Sequence, residues 1–170
     1  PEFISKFSNM SLDIDLDDRV IGLVNDGYGI AIRGGRIIDS TLVSRSICNI
    51  DLILVASPAY LQEYGVPKTA DDLKNHKLIA RKFLAGKISP WEFKSSDGTI
   101  TALEPTNAQI TISEPESLAH LASLGYGVAQ VGIHNALNHL EKGELKVLLL
   151  DQHMSGNYEM VIQYPHRALI

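Results

Sequence analysis

The stretch from Ile50 to Gly65, IDLILVASPAYLQEYG, decides the fold, because it joins an apolar run directly to a helix signal. Residues 50–56 are almost wholly apolar, which is typical of a strand buried on both faces. Ser57 and Pro58 predict a helix start, since Ser caps free N–H groups and Pro has no N–H to leave unpaired. Gly65 predicts the end of that helix. A buried strand followed at once by a helix indicates an α/β domain.

The same alternation extends along the chain in both directions. Short apolar runs bounded by turn residues predict strands, and a capping residue before an apolar period of three to four predicts a helix. Predicted strands cover 12–16, 28–33, 50–56, 78–81, 91–94, 99–103, 110–112, 128–131, 145–150 and 158–164, and predicted helices cover 3–7, 20–24, 58–64, 69–75, 116–124 and 135–142. The fold class is therefore α/β with a partly parallel sheet.

Composition excludes several classes of protein. The chain has 170 residues with 15 basic and 20 acidic side chains, a net charge of −5, and its densest basic pair is Arg81-Lys82. A nucleic-acid groove needs clustered cations, so this domain should not itself bind DNA. The single cysteine, Cys48, excludes an internal disulfide. No apolar run is long enough to span a membrane and no signal peptide is present, so we expect a cytoplasmic protein without membrane contact.

The sequence predicts no metal, cofactor or catalytic site. Asp13, Asp15 and Asp17 have the spacing of a calcium loop, but its sixth position, normally Gly, is Asp18 and its twelfth, normally Glu, is Val24. No two histidines have an i, i+4 spacing, and no nucleophile-elbow motif occurs. The Gly-Tyr-Gly runs lack the third glycine of a dinucleotide fingerprint and follow predicted helices. We predict that the chain is not an enzyme.

An anion-binding cleft is the site that the residues favour. Helix starts follow strands at Ser57-Pro58 and at Ser113-Glu114-Pro115, while Arg33 and Arg81 end strands. Free N–H groups at helix starts bind carboxylates, and ligands of open α/β sheets gather beyond the carboxyl ends of strands. Each of these residues taken alone also fits simple capping or surface charge. Their joint occurrence predicts a cleft for a small molecule, and the arginines favour an organic anion.

Five segments, given below in chain order, resemble the effector-binding domain of a LysR-type transcriptional regulator. The resemblance spans essentially the whole chain. The segment around the AIR strand, the ASPAYL segment with the G-x-P and DL that follow it, and the L-x-x-G-x-L segment are the most specific. The five segments are DRVIGLVNDGYGIAIRGGRIIDSTLVSRSI at 18–47, LILVASPAYLQEYGVPKTADDLKNHKLI at 52–79, WEF at 91–93, LASLGYGVAQV at 121–131 and LEKGELKVLL at 140–149.

The resemblance implies two Rossmann-like lobes of the type II periplasmic binding protein class, joined by two crossover strands. We expect crossings near 55–57 and near 157–160. Lobe one would hold residues 1–56 plus 158–170, and lobe two residues 57–157. The DNA-binding helix-turn-helix of the family is not present in this chain.

The resemblance also implies a function. A small effector would bind between the lobes and control DNA binding and transcription through a homodimer or higher oligomer, in which the helix ending near Phe7 meets helix 116–124 of its partner. DNA would be bound only by the missing domain. Two alternatives stay open: a periplasmic-type solute-binding protein, and a regulator that senses pH or redox change without a small ligand. Residues expected at the ligand are Arg33, Gly34, Ser57, Pro58, Arg81, Ser113, Glu114 and Pro115.

Overall fold

The computed structural model describes residues 2–16, 22–34, 42–83, 86–156 and 158–165. Within these ranges the helices are α1 (Glu2–Lys6), α2 (Pro58–Tyr64), a 3-10 helix (Asp71–Asn75), α3 (Pro115–Ser123) and α4 (Ile133–Glu141). The strands are β1 (Ala31–Gly34), β2 (Leu42–Ile50), β3 (Leu52–Ala56), β4 (Leu78–Arg81), β5 (Trp91–Lys94), β6 (Ile100–Leu103), β7 (Ile110–Ile112), β8 (Val128–Gly132), β9 (Lys146–Leu148) and β10 (Tyr158–Pro165). None of these helices has the length and apolar character that crossing a bilayer requires.

The strands form three sheets. An antiparallel sheet has the order β1-β10-β2, and a five-stranded sheet has the order β7-β4-β8-β3-β9. In the larger sheet β4 runs parallel to β7 and β8, whereas β3 is antiparallel to β8 and β9. Strands β5 and β6 form the predicted hairpin. The predicted α/β class with a partly parallel sheet is thus confirmed.

The core lies on both faces of the five-stranded sheet. Ile53 and Val55 belong to a buried cluster with residues of α3 and α4. Leu54 and Ala56 belong to a second cluster, which includes Tyr60 of α2 and Trp91 of the hairpin. Successive β3 side chains point to opposite faces, so the apolar run at 52–56 reflects a strand covered on both sides.

The chain passes from the three-stranded to the five-stranded sheet at Asp51 and returns between Leu148, the end of β9, and Tyr158, the start of β10. Ile50 pairs with Tyr158 in the three-stranded sheet, while Leu52 already pairs with Gly132 in the five-stranded one. The Leu52 N–H also donates to the Ser155 carbonyl oxygen at 3.3 Å, which ties the two crossing segments together. The first crossing thus lies before β3, where the prediction had it near 55–57 with β3 in lobe one. Part of the second predicted crossing, Asn157, lies outside the described residues.

Several local predictions need correction. Residues 11–16 form no strand, and Leu16 is 97% exposed, because apolar alternation makes a strand only where a neighbouring strand pairs with the backbone. The predicted strand at 28–33 begins only at Ala31, and the predicted helix at 69–75 is a shorter 3-10 helix. Of the predicted helix at 20–24, Val20 and Ile21 lie outside the described ranges, while Leu23 and Val24 belong to a turn and not to a helix.

Candidate functional site

Arg81 ends β4 and reaches across to the three-stranded sheet. Its guanidinium carbon lies 4.6 Å from the ring centroid of Phe83 and 5.6 Å from that of Tyr158, the first residue of β10. Arg81 Nη1 donates to the Tyr158 hydroxyl at 3.4 Å. Arginine stacks well on aromatic faces because its planar guanidinium is weakly hydrated. This side-chain contact bridges the two larger sheets.

Arg81 is not fully satisfied by its neighbours. Its Nε atom is buried and has no hydrogen-bond partner. The salt bridges among the described residues join Lys74 to Asp71 and His139 to Glu144, and none reaches Arg81. A buried donor without an acceptor costs about 1–3 kcal/mol. Within the described part of the chain, the Nε of Arg81 is therefore a buried donor without an acceptor.

Gly34 stands against Tyr158 on the same side of the site. A Cβ atom on Gly34 would overlap the Tyr158 hydroxyl and ring, so only glycine permits this close approach. Arg33 precedes it in β1, partly buried, opposite Val161 of β10. Two of the predicted site residues, Gly34 and Arg81, thus meet through Tyr158.

A groove lies between the two sheets beside Arg81. One part, of about 50 Å³, is lined by residues that include Arg81, Phe83, Trp91, Pro115 and Gln130. A second part, of about 210 Å³, extends to Glu92, Met154 and Gly156. Both parts share Leu52, Ser89, Gln130 and Tyr158, so they are neighbouring sections of one inter-sheet groove.

The start of α3 lies at the same sheet edge as Arg81. Ile112 of β7 pairs in parallel with Arg81, so Ser113 to Pro115 follow at the carboxyl ends of both strands. Glu114, and not Ser113, is the capping residue. Its carboxylate oxygens accept from the N–H groups of Glu116 at 2.8 Å and Ser117 at 2.7 Å, because Pro115 begins the helix directly after it.

This cap changes what the α3 terminus can bind. The Ser117 hydroxyl donates to Glu114 and is the main reason that the pKa of this carboxyl lies below its usual range. The two backbone N–H groups and the charge of Arg81 add to the effect. The Glu114 carboxylate therefore already accepts from the first free N–H groups of α3. From the sequence we expected a ligand anion to bind these groups. Pro115 contacts the groove, and Glu114 contributes charge next to it.

Ser57 and Pro58 lie elsewhere. Since β3 is antiparallel to β8, its carboxyl end meets the beginning of β8 and lies at the opposite sheet edge from Arg81. The Ser57 hydroxyl oxygen is buried and accepts from the Tyr60 N–H at 3.2 Å, as a helix cap. The expectation that this helix start shares a cleft with Arg81 assumed a parallel β3, and the register separates the two.

Sequence reasoning missed Tyr158, Phe83, Trp91, Gln130 and Glu92. Gln130 carried a signal, because it is a polar residue inside the apolar run VAQV. Its Nε2 lies 2.8 Å from His153 Nε2, and since an amide nitrogen only donates, the histidine must accept with a neutral ring. Burial lowers the pKa of His153 to about 4, which agrees with that assignment. Among the described residues, no cluster of His, Cys, Asp or Glu could hold a metal ion.

Two sheets facing each other across a groove, joined by two crossing segments, define a ligand-binding domain of the type II periplasmic binding protein class. The family model described as the LysR substrate binding domain matches residues 1–169. The chain belongs to this family, which confirms the resemblance seen in the sequence.

Individual relatives agree with this family and fold. An uncharacterized HTH-type transcriptional regulator of Haemophilus influenzae is 29% identical over 167 residues, covering 98% of this chain and 57% of that protein. The full-length virulence activator AphB of Vibrio cholerae superposes with a TM-score of 0.82 at 23% identity, over 97% of this chain and 55% of AphB. The regulatory domain of CrgA from Neisseria meningitidis gives 0.82 at 23% identity, over 96% of this chain and 78% of the CrgA domain. The chain spans a little over half the length of the Haemophilus relative.

Proposed function

We propose that this chain is the ligand-sensing regulatory domain of a bacterial LysR-type transcription factor, and that it binds a small organic anion in the inter-sheet groove. Family membership and the fold support the regulatory role. The buried, unpartnered Nε of Arg81 carries the ligand assignment. A carboxylate would satisfy this donor and pair with the planar guanidinium, whose two parallel N–H groups suit bidentate binding.

The proposed lobes follow the sheets. Lobe one contains the three-stranded sheet, and lobe two contains the five-stranded sheet and the hairpin. Asp51 and residues 154–156 belong to the hinge between them. Arg81 belongs to lobe two and Tyr158 to lobe one, so a ligand that enters between them changes the contact that joins the lobes. The ligand shifts the lobe orientation only by its differential affinity for the two arrangements.

The whole protein would pass this change to DNA through a dimer. Homodimerisation, DNA binding by a domain outside this chain, a cytoplasmic location and the absence of enzymatic activity all belong to the proposal. The relatives support it, since they are transcriptional regulators about twice as long as this chain.

A thermal-unfolding screen tests the proposed function. The chain is heated with a panel of aliphatic acids, aromatic acids, amino acids and neutral analogues. A ligand at about 100 times its Kd should add about 2.7 kcal/mol to the free energy of unfolding and raise the Tm by several degrees.

Arg81→Gln should abolish the shift in Tm, whereas Arg45→Gln, which removes an exposed arginine of β2, should preserve it. A shift that survives Arg81→Gln contradicts the site. A Tm that responds to pH or reductant but to no compound favours a regulator without a small ligand.

A further inference from the structure

The inter-sheet groove has opposite charges at its two ends. Arg81 lies at one end, and its buried Nε has no hydrogen-bond partner among the residues that the structure describes. Glu92 of β5 lines the other end. Trp91 and Phe93, its neighbours in β5, are buried, so strand alternation turns Glu92 away from the hairpin core. The groove therefore runs from a cation to an anion.

Neither charge is neutralised by a described residue. Glu92 takes part in no salt bridge or side-chain hydrogen bond among the described residues, and its backbone carbonyl accepts from the Met154 N–H at 2.8 Å. Glu114 lies near Arg81, but its carboxylate caps α3 and accepts from Glu116 and Ser117. Both ends of the groove are thus available to a ligand.

The middle of the groove suits a short, partly polar body. Leu52 and the Tyr158 ring supply apolar surface there, while Ser89 and Gln130 supply hydrogen-bonding groups. The two parts measure about 50 and 210 Å³, below the roughly 300–1,000 Å³ of pockets for drug-sized ligands. A small metabolite fits this space.

We propose that the natural ligand is a small zwitterion, with a carboxylate at Arg81 and a protonated amine at Glu92. This inference rests on the proposed function of the same groove and adds the amine. A ligand with a carboxylate but no amine would place an uncharged group beside Glu92. The matched amine forms a charge-assisted hydrogen bond there, and a site built around such a bond rejects the analogue that lacks it.

Matched pairs of compounds test the amine. Straight-chain acids of three to six carbons with an amino group on the last carbon are compared by thermal unfolding with the same acids without the amine, with a hydroxyl in its place, and with the corresponding monoamines. At least one amino acid should bind about tenfold more tightly than its partner without the amine, which is the loss expected for one charged hydrogen bond.

Three variants locate the effect. Glu92→Gln removes the charge at constant shape and should erase the difference between amino acid and plain acid. Glu104→Gln, a control that removes an exposed charge just after β6, should preserve it. Arg81→Gln should abolish binding of both compounds.

The outcomes separate this inference from the proposed function. If the plain or hydroxylated acid binds as tightly as the amino acid, or if Glu92→Gln keeps the preference, the zwitterion is wrong. A ligand without an amine that stabilises the chain through Arg81 more strongly than every amino acid of the series also overturns the zwitterion and leaves the proposed function standing. Absence of any stabilising compound, in this series and in the broad panel, overturns both.

Discussion

At the scale of single residues, the contact between Arg81 and Tyr158 depends on a glycine. The Tyr158 hydroxyl lies over Gly34, where any side chain would overlap it. Without that space the phenol ring could not stand beside the guanidinium. Gly34 thus acts on the groove without offering any group to a ligand.

Gly34→Ala should move Tyr158 away from Arg81. The added methyl meets a packed ring, so we expect the free energy of unfolding to fall by about 1–3 kcal/mol, measured by urea denaturation. Gly29→Ala is the matched control, because a Cβ there would have no atom within 4 Å. Equal losses in the two variants would contradict the close approach.

His153 makes stability depend on pH. Burial lowers its pKa to about 4 in the folded chain, whereas an unfolded histidine has a pKa of about 6.5. Between these values the unfolded state binds more protons, so this contribution is complete above pH 6.5 and is lost as the pH falls toward 4. The pKa of His76 is also lowered, mainly by burial, and acts in the same direction.

Urea denaturation from pH 7.5 to 5 should therefore show a free energy of unfolding that decreases toward acid. The slope stays below about 1.4 kcal/mol per pH unit for each histidine, since one histidine contributes a difference of at most one bound proton between the unfolded and folded states. His153→Asn should flatten the curve relative to the parent chain. An unchanged slope in this variant would mean that His153 does not titrate differently on folding.

At the scale of helices and strands, only one of the two capped helices begins beside the groove. Ser57 begins α2 at one edge of the five-stranded sheet, and Glu114 begins α3 at the other edge, beside Arg81. The direction of β3 alone assigns them to different edges. A substitution at the start of α2 should therefore change stability without changing ligand binding, whereas a substitution beside the start of α3 should change ligand binding.

Ser57→Ala should lower the free energy of unfolding by about 1 kcal/mol through loss of the α2 cap. The ligand-induced rise in Tm should persist, because the residue lies at the sheet edge away from the groove. Arg81→Gln should show the opposite pattern, with ligand response lost. If Ser57→Ala abolished the ligand response, the hinge position that the family resemblance implied would be correct for binding.

At the scale of the whole molecule, two apolar surfaces fit the proposed dimer. In α1, Phe3 and Ile4 are exposed and no residue is buried, and Phe7, directly after the helix, is exposed too. At the end of α3, Leu124 is 60% exposed, whereas Leu121 packs against the core. Substitution of Leu124 therefore tests association better than substitution of Leu121, because it removes no core contact and should leave the fold intact.

Phe7→Asp or Leu124→Asp should convert the proposed dimer into a monomer in sedimentation experiments, because a buried, unpaired carboxylate is costly at an apolar interface. Ile100→Asp provides the control, since Ile100 is equally exposed but lies in the hairpin. A dimer mass that survives both substitutions would exclude the pairing of α1 with α3.

Local chemistry alone predicted much of this fold. The helix after Ser57, the strand at 78–81, the hairpin at 91–103 and the strand at 128–131 each depend on neighbouring residues, through capping, turns and apolar runs. The strand expected at 12–16 failed because its partner would have to come from a distant part of the chain. The helix start predicted at Ser113-Glu114-Pro115 is present, and Glu114 caps it because this residue directly precedes the first turn.

The sequence by itself determined the α/β class, the family, and Arg81 as a cation at the end of a strand. Only the tertiary structure decided that β3 is antiparallel, that Ser57 therefore lies away from Arg81, and that Tyr158, 77 residues further along, completes the site. Strand direction and sheet membership arise from backbone pairing between distant segments. A local pattern contains no information on that pairing, which is why the groove and its opposite charges emerged only from the folded chain.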